Sequence, residues 1–153
     1  MTLSQLLDSR LVFAKTACES KEELITTLVE QIYAIGRKLP VEKDRVLKTI
    51  LLREQIGGTL LPSGLVIPHA RLTDFDDFVL ALATPREPLF NKGHQLRMMA
   101  LMITSHSGVP WYLTTLAALT KISRDEEYFS RLCGAENTEE LIRTLREKDT
   151  ELS

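Results

Sequence analysis

The sequence predicts an α/β (α+β) single domain over residues 1–153, a mixed β-sheet flanked by helices. Three observations predict it. Two apolar runs, Phe78 to Ala83 and Leu96 to Ile103, are nearly continuous rather than alternating, as in central strands covered on both faces. Segments with apolar residues at helical spacing lie before and after these runs. No repeat, low-complexity tract or Gly/Ser linker divides the 153 residues, a length that buries a substantial core as one unit.

The elements follow in order. Leu11 to Ala14 reads as a short first strand. Ser20 starts a helix, with Glu23 three residues on in the pattern of a capping box. Leu24, Ile25, Leu28, Val29, Ile32 and Ile35 form its stripe, and Gly36 suits its C-terminal cap. A second helix is predicted from about Glu42 to Gln55, burying Val46, Leu47, Ile50 and Leu51. Gly57-Gly58 breaks it, and Pro62-Ser63-Gly64 bends the chain before a short buried strand, Leu65 to Ile67. Between the two long apolar runs, Pro85, Pro88 and Gly93 predict a wide hairpin with a small edge strand near Leu89-Phe90. Pro110 opens a helix reaching Ile122, with Leu113, Leu116 and Ala117 facing inward. A short helix over Glu126 to Leu132 follows. A last helix begins after Asn137, with Glu140 in a second capping-box position, and buries Leu141, Ile142 and Leu145.

Composition narrows the function classes. Apolar residues are 44% and charged residues 26%, an ordinary globular balance. The net charge of −2 supplies no basic field for nucleic acid. No apolar run approaches the ~18 residues of a membrane span, so no membrane insertion is expected. Cys18 and Cys133 match no metal or redox spacing and read as reduced thiols, which points to the cytoplasm. No phosphate loop and no dinucleotide-binding glycine pattern appears, and no cofactor is expected. Ser105-His106-Ser107-Gly108 lacks the first glycine of a nucleophile elbow. His69, His94 and His106 lack helical ligand spacing, and only folding would bring them together around a metal.

The chemistry concentrates in GLVIPHARL, Gly64 to Leu72, where a buried strand ends in Pro68-His69-Ala70-Arg71. A neutral imidazole is a nucleophile near pH 7. A phosphoryl group passing to it spreads charge over three oxygens and calls for cations and N–H donors. Arg53 and Arg71 are the available cations, and Thr59 with the Gly57-Gly58 backbone the available neutral donors. Pro68 fixes one backbone angle before His69. The plainer readings are a turn at Pro68-His69 and a solvated helix end at Arg53-Glu54.

Arg53-Glu54, Gly58-Thr59 and Gly64-Leu-Val-Ile-Pro68-His69-Ala70-Arg71 together resemble the signature of the type-2 IIA component of the bacterial phosphoenolpyruvate-dependent phosphotransferase system. This is the fructose/mannitol family, with its nitrogen-regulatory members. The resemblance extends to Leu113-Thr-Thr-Leu116-Ala117-Ala-Leu119 and covers nearly the whole chain. It implies the mannitol IIA-like fold and a phosphocarrier role. His69 would accept a phosphoryl group from HPr or an HPr-like donor and pass it to a separate IIB protein or a regulatory target. Arg53 would stabilise the group and Thr59 would shape the adjoining loop. One position departs from the pattern: many members carry a histidine directly before the leucine matching Leu113, and here it is Tyr112. A tyrosine hydroxyl donates a hydrogen bond but carries no positive charge. His106 is either a substitute for the missing histidine or a surface-loop residue. The departure motivates an alternative, a binding module that keeps the fold and no longer transfers phosphate.

Three further features carry two readings each. His94 is a turn residue or part of a site. Asp74, Asp76 and Asp77 are a docking rim for a basic partner or a solvated turn. Trp111 belongs to a partner interface or packs on the core.

Overall fold

A computed structural model describes residues 1–91, 93–105 and 110–152. The expectations for His106 and for the Ser105–Gly108 stretch beyond Ser105 lie outside the described residues. The five-stranded sheet is built around β7 (Met98–Ser105), whose eight residues are all buried. On one side β7 pairs antiparallel with β4 (Val79–Pro85), which pairs parallel with β1 (Val12–Thr16). On its other side β7 pairs parallel with β2 (Leu65–Val66) and then β3 (His69–Leu72). β2 and β3 are therefore one strand line interrupted at Ile67-Pro68. Proline offers no ladder donor, but the Pro68 carbonyl still accepts from Met102 N–H at 3.0 Å, so β7 holds both sides of the break.

Helices cover both faces, which is why β4 and β7 read as continuous apolar runs. On one face α2 (Lys21–Ala34) and α3 (Lys43–Gly57) pack Leu24, Leu28, Ile32, Val46 and Ile50 against Ala70, Val79, Ala81, Met99 and Leu101. On the other, α4 (Pro110–Arg124), α5 (Glu126–Cys133) and α6 (Thr138–Glu147) bring Leu119, Phe129 and Leu141 onto Leu80, Leu82, Ala100 and Met102. A short α1 (Leu3–Leu6), which sequence periodicity did not suggest, is tied to the C-terminal segment through Leu3 N–H and the Thr150 carbonyl at 2.8 Å.

The helix starts form as their caps dictate. The Ser20 hydroxyl accepts from Glu23 N–H at 3.0 Å, and Asn137 Oδ1 from Glu140 N–H at 2.8 Å. The Glu140 carboxylate reaches back to Glu136 N–H rather than to the cap residue itself. Gly36 ends α2 at a φ of +84°, a left-handed conformation that costs glycine little.

Two expected inward faces differ. In α4, Thr115, Ala118, Leu119 and Ile122 are buried, whereas Leu113 is 65% exposed and Ala117 is exposed. Apolar residues surround the first turns of this helix, so spacing alone did not single out one face. In α3 the buried residues are Val46, Ile50 and Glu54, with Leu47 and Leu51 only half-buried. The edge strand expected near Leu89 is β5 (Leu89–Asn91), and it pairs with β6 (His94–Leu96) in a separate two-stranded sheet. Leu96 thus ends β6, Arg97 interrupts, and β7 begins at Met98.

Among the described residues no helix is long and apolar enough to cross a membrane.

Candidate functional site

His69 opens β3 just after the interruption of the strand line. Ala70 and Leu72 point into the core shared with α2 and α3, so alternation turns His69 and Arg71 to the other face, His69 half-buried and Arg71 exposed. Nδ1 of His69 lies 3.3 Å from the Ile67 carbonyl. A carbonyl oxygen only accepts, so this contact places the ring proton on Nδ1 and leaves the lone pair on Nε2. The hydroxyl of Tyr112 lies 3.5 Å from Nε2, with the two rings 5.2 Å apart at 49°. Arg71 lays its guanidinium over the same tyrosine ring, 5.3 Å from its centre.

Burial pushes the His69 imidazole below its ordinary pKa. The hydrogen bond to Ile67 works against that shift, while the charges of Arg53 and Arg71 reinforce it and that of Glu54 opposes it. The ring is therefore neutral near pH 7, within the electrostatic reach of two guanidiniums. Neither Arg53 nor Arg71 has an ion-pair partner among the described residues. Two guanidiniums without ion-pair partners among the described residues, both acting on His69, suit an incoming anion.

Behind the histidine lies a polar chain. Glu54, 4% exposed, meets Lys21 Nζ at 3.4 Å and accepts from Thr59 N–H at 3.2 Å and from the Thr59 hydroxyl at 2.8 Å. The Thr59 oxygen in turn accepts from Ile67 N–H at 3.0 Å. The hydroxyl hydrogen of Thr59 is thus committed to Glu54, and its oxygen to Ile67. Thr59 holds the residue that orients His69 and is not a free donor to a phosphoryl oxygen. Glu54, whose helix end read as solvated, is a buried anchor. Removing one member of such a buried pair costs on the order of 3–5 kcal/mol.

Sequence reasoning missed Lys21 and the Ile67 carbonyl. A signal for Lys21 existed: a lysine stands at the start of α2, three residues before Leu24 on its buried face. Glu54 similarly continues the Val46–Ile50 stripe of α3 at four-residue steps. Two opposite charges on apolar stripes of neighbouring helices suggest a buried pair.

The remaining expectations divide. His94 is exposed at the start of β6, opposite Asn91. Asp77 pairs with Arg37 at 2.7 Å and accepts from Phe78 N–H, while Asp74 and Asp76 are exposed. Trp111 is half-buried and packs on the core. Cys18 and Cys133 are unlinked thiols.

Fold and site together define a three-layer α/β domain that presents a half-buried histidine, at the break in a strand line, within the electrostatic reach of two arginines. Residues 5–148 match the family of the phosphoenolpyruvate-dependent sugar phosphotransferase system, EIIA 2, and the chain belongs to it. It is 29% identical over 134 residues to the 2-O-alpha-mannosyl-D-glycerate-specific EIIABC component of Escherichia coli, matching 84% of this chain but spanning only 20% of that protein's length. It is 26% identical to the nitrogen regulatory protein of Klebsiella oxytoca over 96% of this chain and 91% of that one. Nitrogen regulatory protein IIA-Ntr of Neisseria meningitidis superposes with a TM-score of 0.80 at 19% identity, over 94% of this chain and 98% of that chain. The complex of enzyme IIA-mannitol with phosphorylated enzyme IIB-mannitol from Escherichia coli matches with a TM-score of 0.73 at 18% identity, over 93% and 98% of the two chains. The last two likenesses establish the fold: a mixed sheet flanked by helices, as in mannitol IIA and IIA-Ntr.

Proposed function

We propose that the chain is a phosphocarrier that receives a phosphoryl group on Nε2 of His69 from HPr or an HPr-like donor. It then passes the group to a separate IIB protein or holds it as a regulatory signal. The observation that carries this reading is the tethering of Nδ1–H to the Ile67 carbonyl, which leaves Nε2 as the nucleophile beside Arg53 and Arg71.

In the transfer, the Nε2 lone pair attacks phosphorus and a new N–P bond forms. The bond between phosphorus and the donor's phosphoryl-bearing atom breaks, and its electron pair returns to that atom. Positive charge grows on the His69 ring, where the Ile67 carbonyl stabilises Nδ1–H. Arg53 and Arg71 balance the charge spread over the three phosphoryl oxygens, and Tyr112 can donate to one of them. The reverse sequence delivers the group onward. A recipient of the IIB kind is supported by the mannitol IIA structure determined in complex with its phosphorylated IIB. A regulatory use is supported by the similarity to nitrogen regulatory proteins over nearly their full length.

The presence of tyrosine at position 112 favours one second reading, a binding module that no longer transfers phosphate. Incubation with phosphoenolpyruvate, enzyme I and HPr, read by intact mass, separates the two. An acid-labile phosphate on wild type and none on His69→Ala establishes the carrier. No phosphate on wild type, with HPr active on another IIA, establishes the module.

A further inference from the structure

Lys21 and Glu54 are buried, with their side chains 6% and 3% exposed. Lys21 is the first residue of α2, the positive end of the helix dipole, where a cation is disfavoured. Desolvating its charge adds a second unfavourable contribution. The turn after α3 closes over the pair: a Cβ on Gly58 would lie 3.6 Å from Lys21 Nζ and 3.7 Å from Glu54 Oε1.

We propose that Lys21 is a positioning residue for the phosphoryl acceptor, acting through Glu54, Thr59 and Ile67 to fix the tautomer of His69. The inference rests on the reading of His69 as that acceptor. Its logic is the direction of each hydrogen bond. Lys21 supplies the counter-charge that lets a buried carboxylate remain a pure acceptor. A pure acceptor takes both the N–H and the O–H of Thr59. With its hydrogen committed, the Thr59 oxygen turns a lone pair to Ile67 N–H.

Ile67 lies in the gap between β2 and β3, so Thr59 supplies its N–H with a partner. Pro68 and the Met102 N–H hold the far side of the gap. The Ile67 carbonyl is thereby fixed where it accepts from Nδ1 of His69. A neutral glutamine at position 54 cannot reproduce the arrangement. With its oxygen toward the Thr59 N–H, its NH2 would donate to the Thr59 hydroxyl oxygen and release the hydroxyl hydrogen from its fixed direction; turned the other way, its NH2 would meet the Thr59 N–H as donor against donor.

Nitrogen-15 NMR of the His69 ring in the unphosphorylated protein tests this without any transfer step, with His69→Ala identifying the signals. Wild type should show the proton on Nδ1. Glu54→Gln, Lys21→Met and the double variant Lys21→Met/Glu54→Gln should each show a mixture of tautomers. Their phosphoryl uptake should fall in proportion to the remaining Nδ1–H fraction, about twofold for an even mixture, since a histidine in the wrong tautomer is a poor nucleophile. The double variant removes both charges together, so it leaves no unpaired buried charge where Lys21→Met alone would leave one. Leu145→Ala, a core change on the opposite side of the sheet, should leave the tautomer unchanged.

A folded double variant with His69 wholly protonated on Nδ1 overturns the proposal, whatever its uptake. A shifted tautomer in a protein whose wild type takes no phosphate sustains the relay and overturns the carrier reading instead.

Discussion

The hydroxyl of Tyr112 stands 3.5 Å from Nε2 of His69, on the atom that carries the lone pair. Because Nδ1 donates to Ile67, Nε2 can only accept, so the phenol is the donor in the resting site. At this length the bond is weak and easily exchanged for one to a phosphoryl oxygen.

On the proposed carrier function, the phenol therefore matters more to the phosphorylated state than to the resting one. Tyr112→Phe keeps the ring beneath Arg71 and loses one donor, and uptake should slow by about threefold to tenfold, the worth of one hydrogen bond. Tyr112→Ala also removes the platform for Arg71 and should be slower still. Equal rates in the two variants, measured by quenched-flow phosphorylation, would exclude the stacked guanidinium from the transfer. Tyr112→His should lengthen the life of the phosphoryl group at acid pH by adding a cation.

The pH profile follows from the lowered pKa of His69. Above the ordinary value of 6.5 the ring is neutral in both folded and unfolded chains. Below it the unfolded chain binds the proton first, so this contribution to stability is lost as pH falls from 6.5 through the depressed folded value. Uptake should likewise hold level from pH 8 to 6.5 and decline only below. Arg53→Ala removes one of the charges that lower the pKa, so its acid limb should move upward toward 6.5, besides slowing transfer at neutral pH. An unmoved acid limb, in rates measured across pH 5 to 8, would take Arg53 out of the site.

Much of this was legible in the sequence, for identifiable reasons. Ser20, Gly36 and Asn137 mark helix ends through local bonds that a sequence displays directly. Val79–Pro85 and Met98–Ser105 are apolar throughout because helices cover both faces, and that too is visible in one dimension. The inward face of α4 was not, since Trp111, Tyr112, Leu113, Leu116 and Ala117 leave its first turns apolar nearly all round.

At the site, His69 and Arg71 lie two residues apart on one strand, so alternation alone puts them on the same face. The role of Thr59 was not legible, because it depends on Glu54 being buried, and that depends on a lysine 33 positions earlier. Such pairings across helices are set by packing and leave only the trace of a charge on an apolar stripe.

The same chain makes Thr59 a stability determinant whose side-chain chemistry can be tested apart from its size. Thr59→Val has nearly the same shape but leaves Ile67 N–H without a partner and deprives Glu54 of a donor. It should cost about 1–3 kcal/mol in urea unfolding. Thr59→Ser restores both bonds and should recover most of that loss. A valine variant as stable as wild type would mean that water replaces the hydroxyl.

Gly64 supplies the last test, because it connects the sequence signature to backbone geometry. Its φ is +98°, and a Cβ there would lie 2.8 Å from both Cγ and Cδ of Arg97 and 3.0 Å from the Gln95 carbonyl. The Gly64 carbonyl also accepts from the N–H groups of Arg97 and Met98, at 2.7 and 3.2 Å, where β2 begins to pair with β7. Arg97 cannot simply withdraw. It donates to the Ser63 carbonyl, the Glu126 carboxylate and the Ser130 hydroxyl, and lies over the Phe129 ring at 4.8 Å. Gly64→Ala thus combines an unfavourable φ with a clash against a side chain fixed on several sides. It should lower stability by about 1–3 kcal/mol or more. Because β2 sets the position of Ile67, hydrogen exchange at the Ile67 amide should rise in the variant by more than at the α6 amides. Uniform protection throughout the chain would show that the strand start tolerates a side chain.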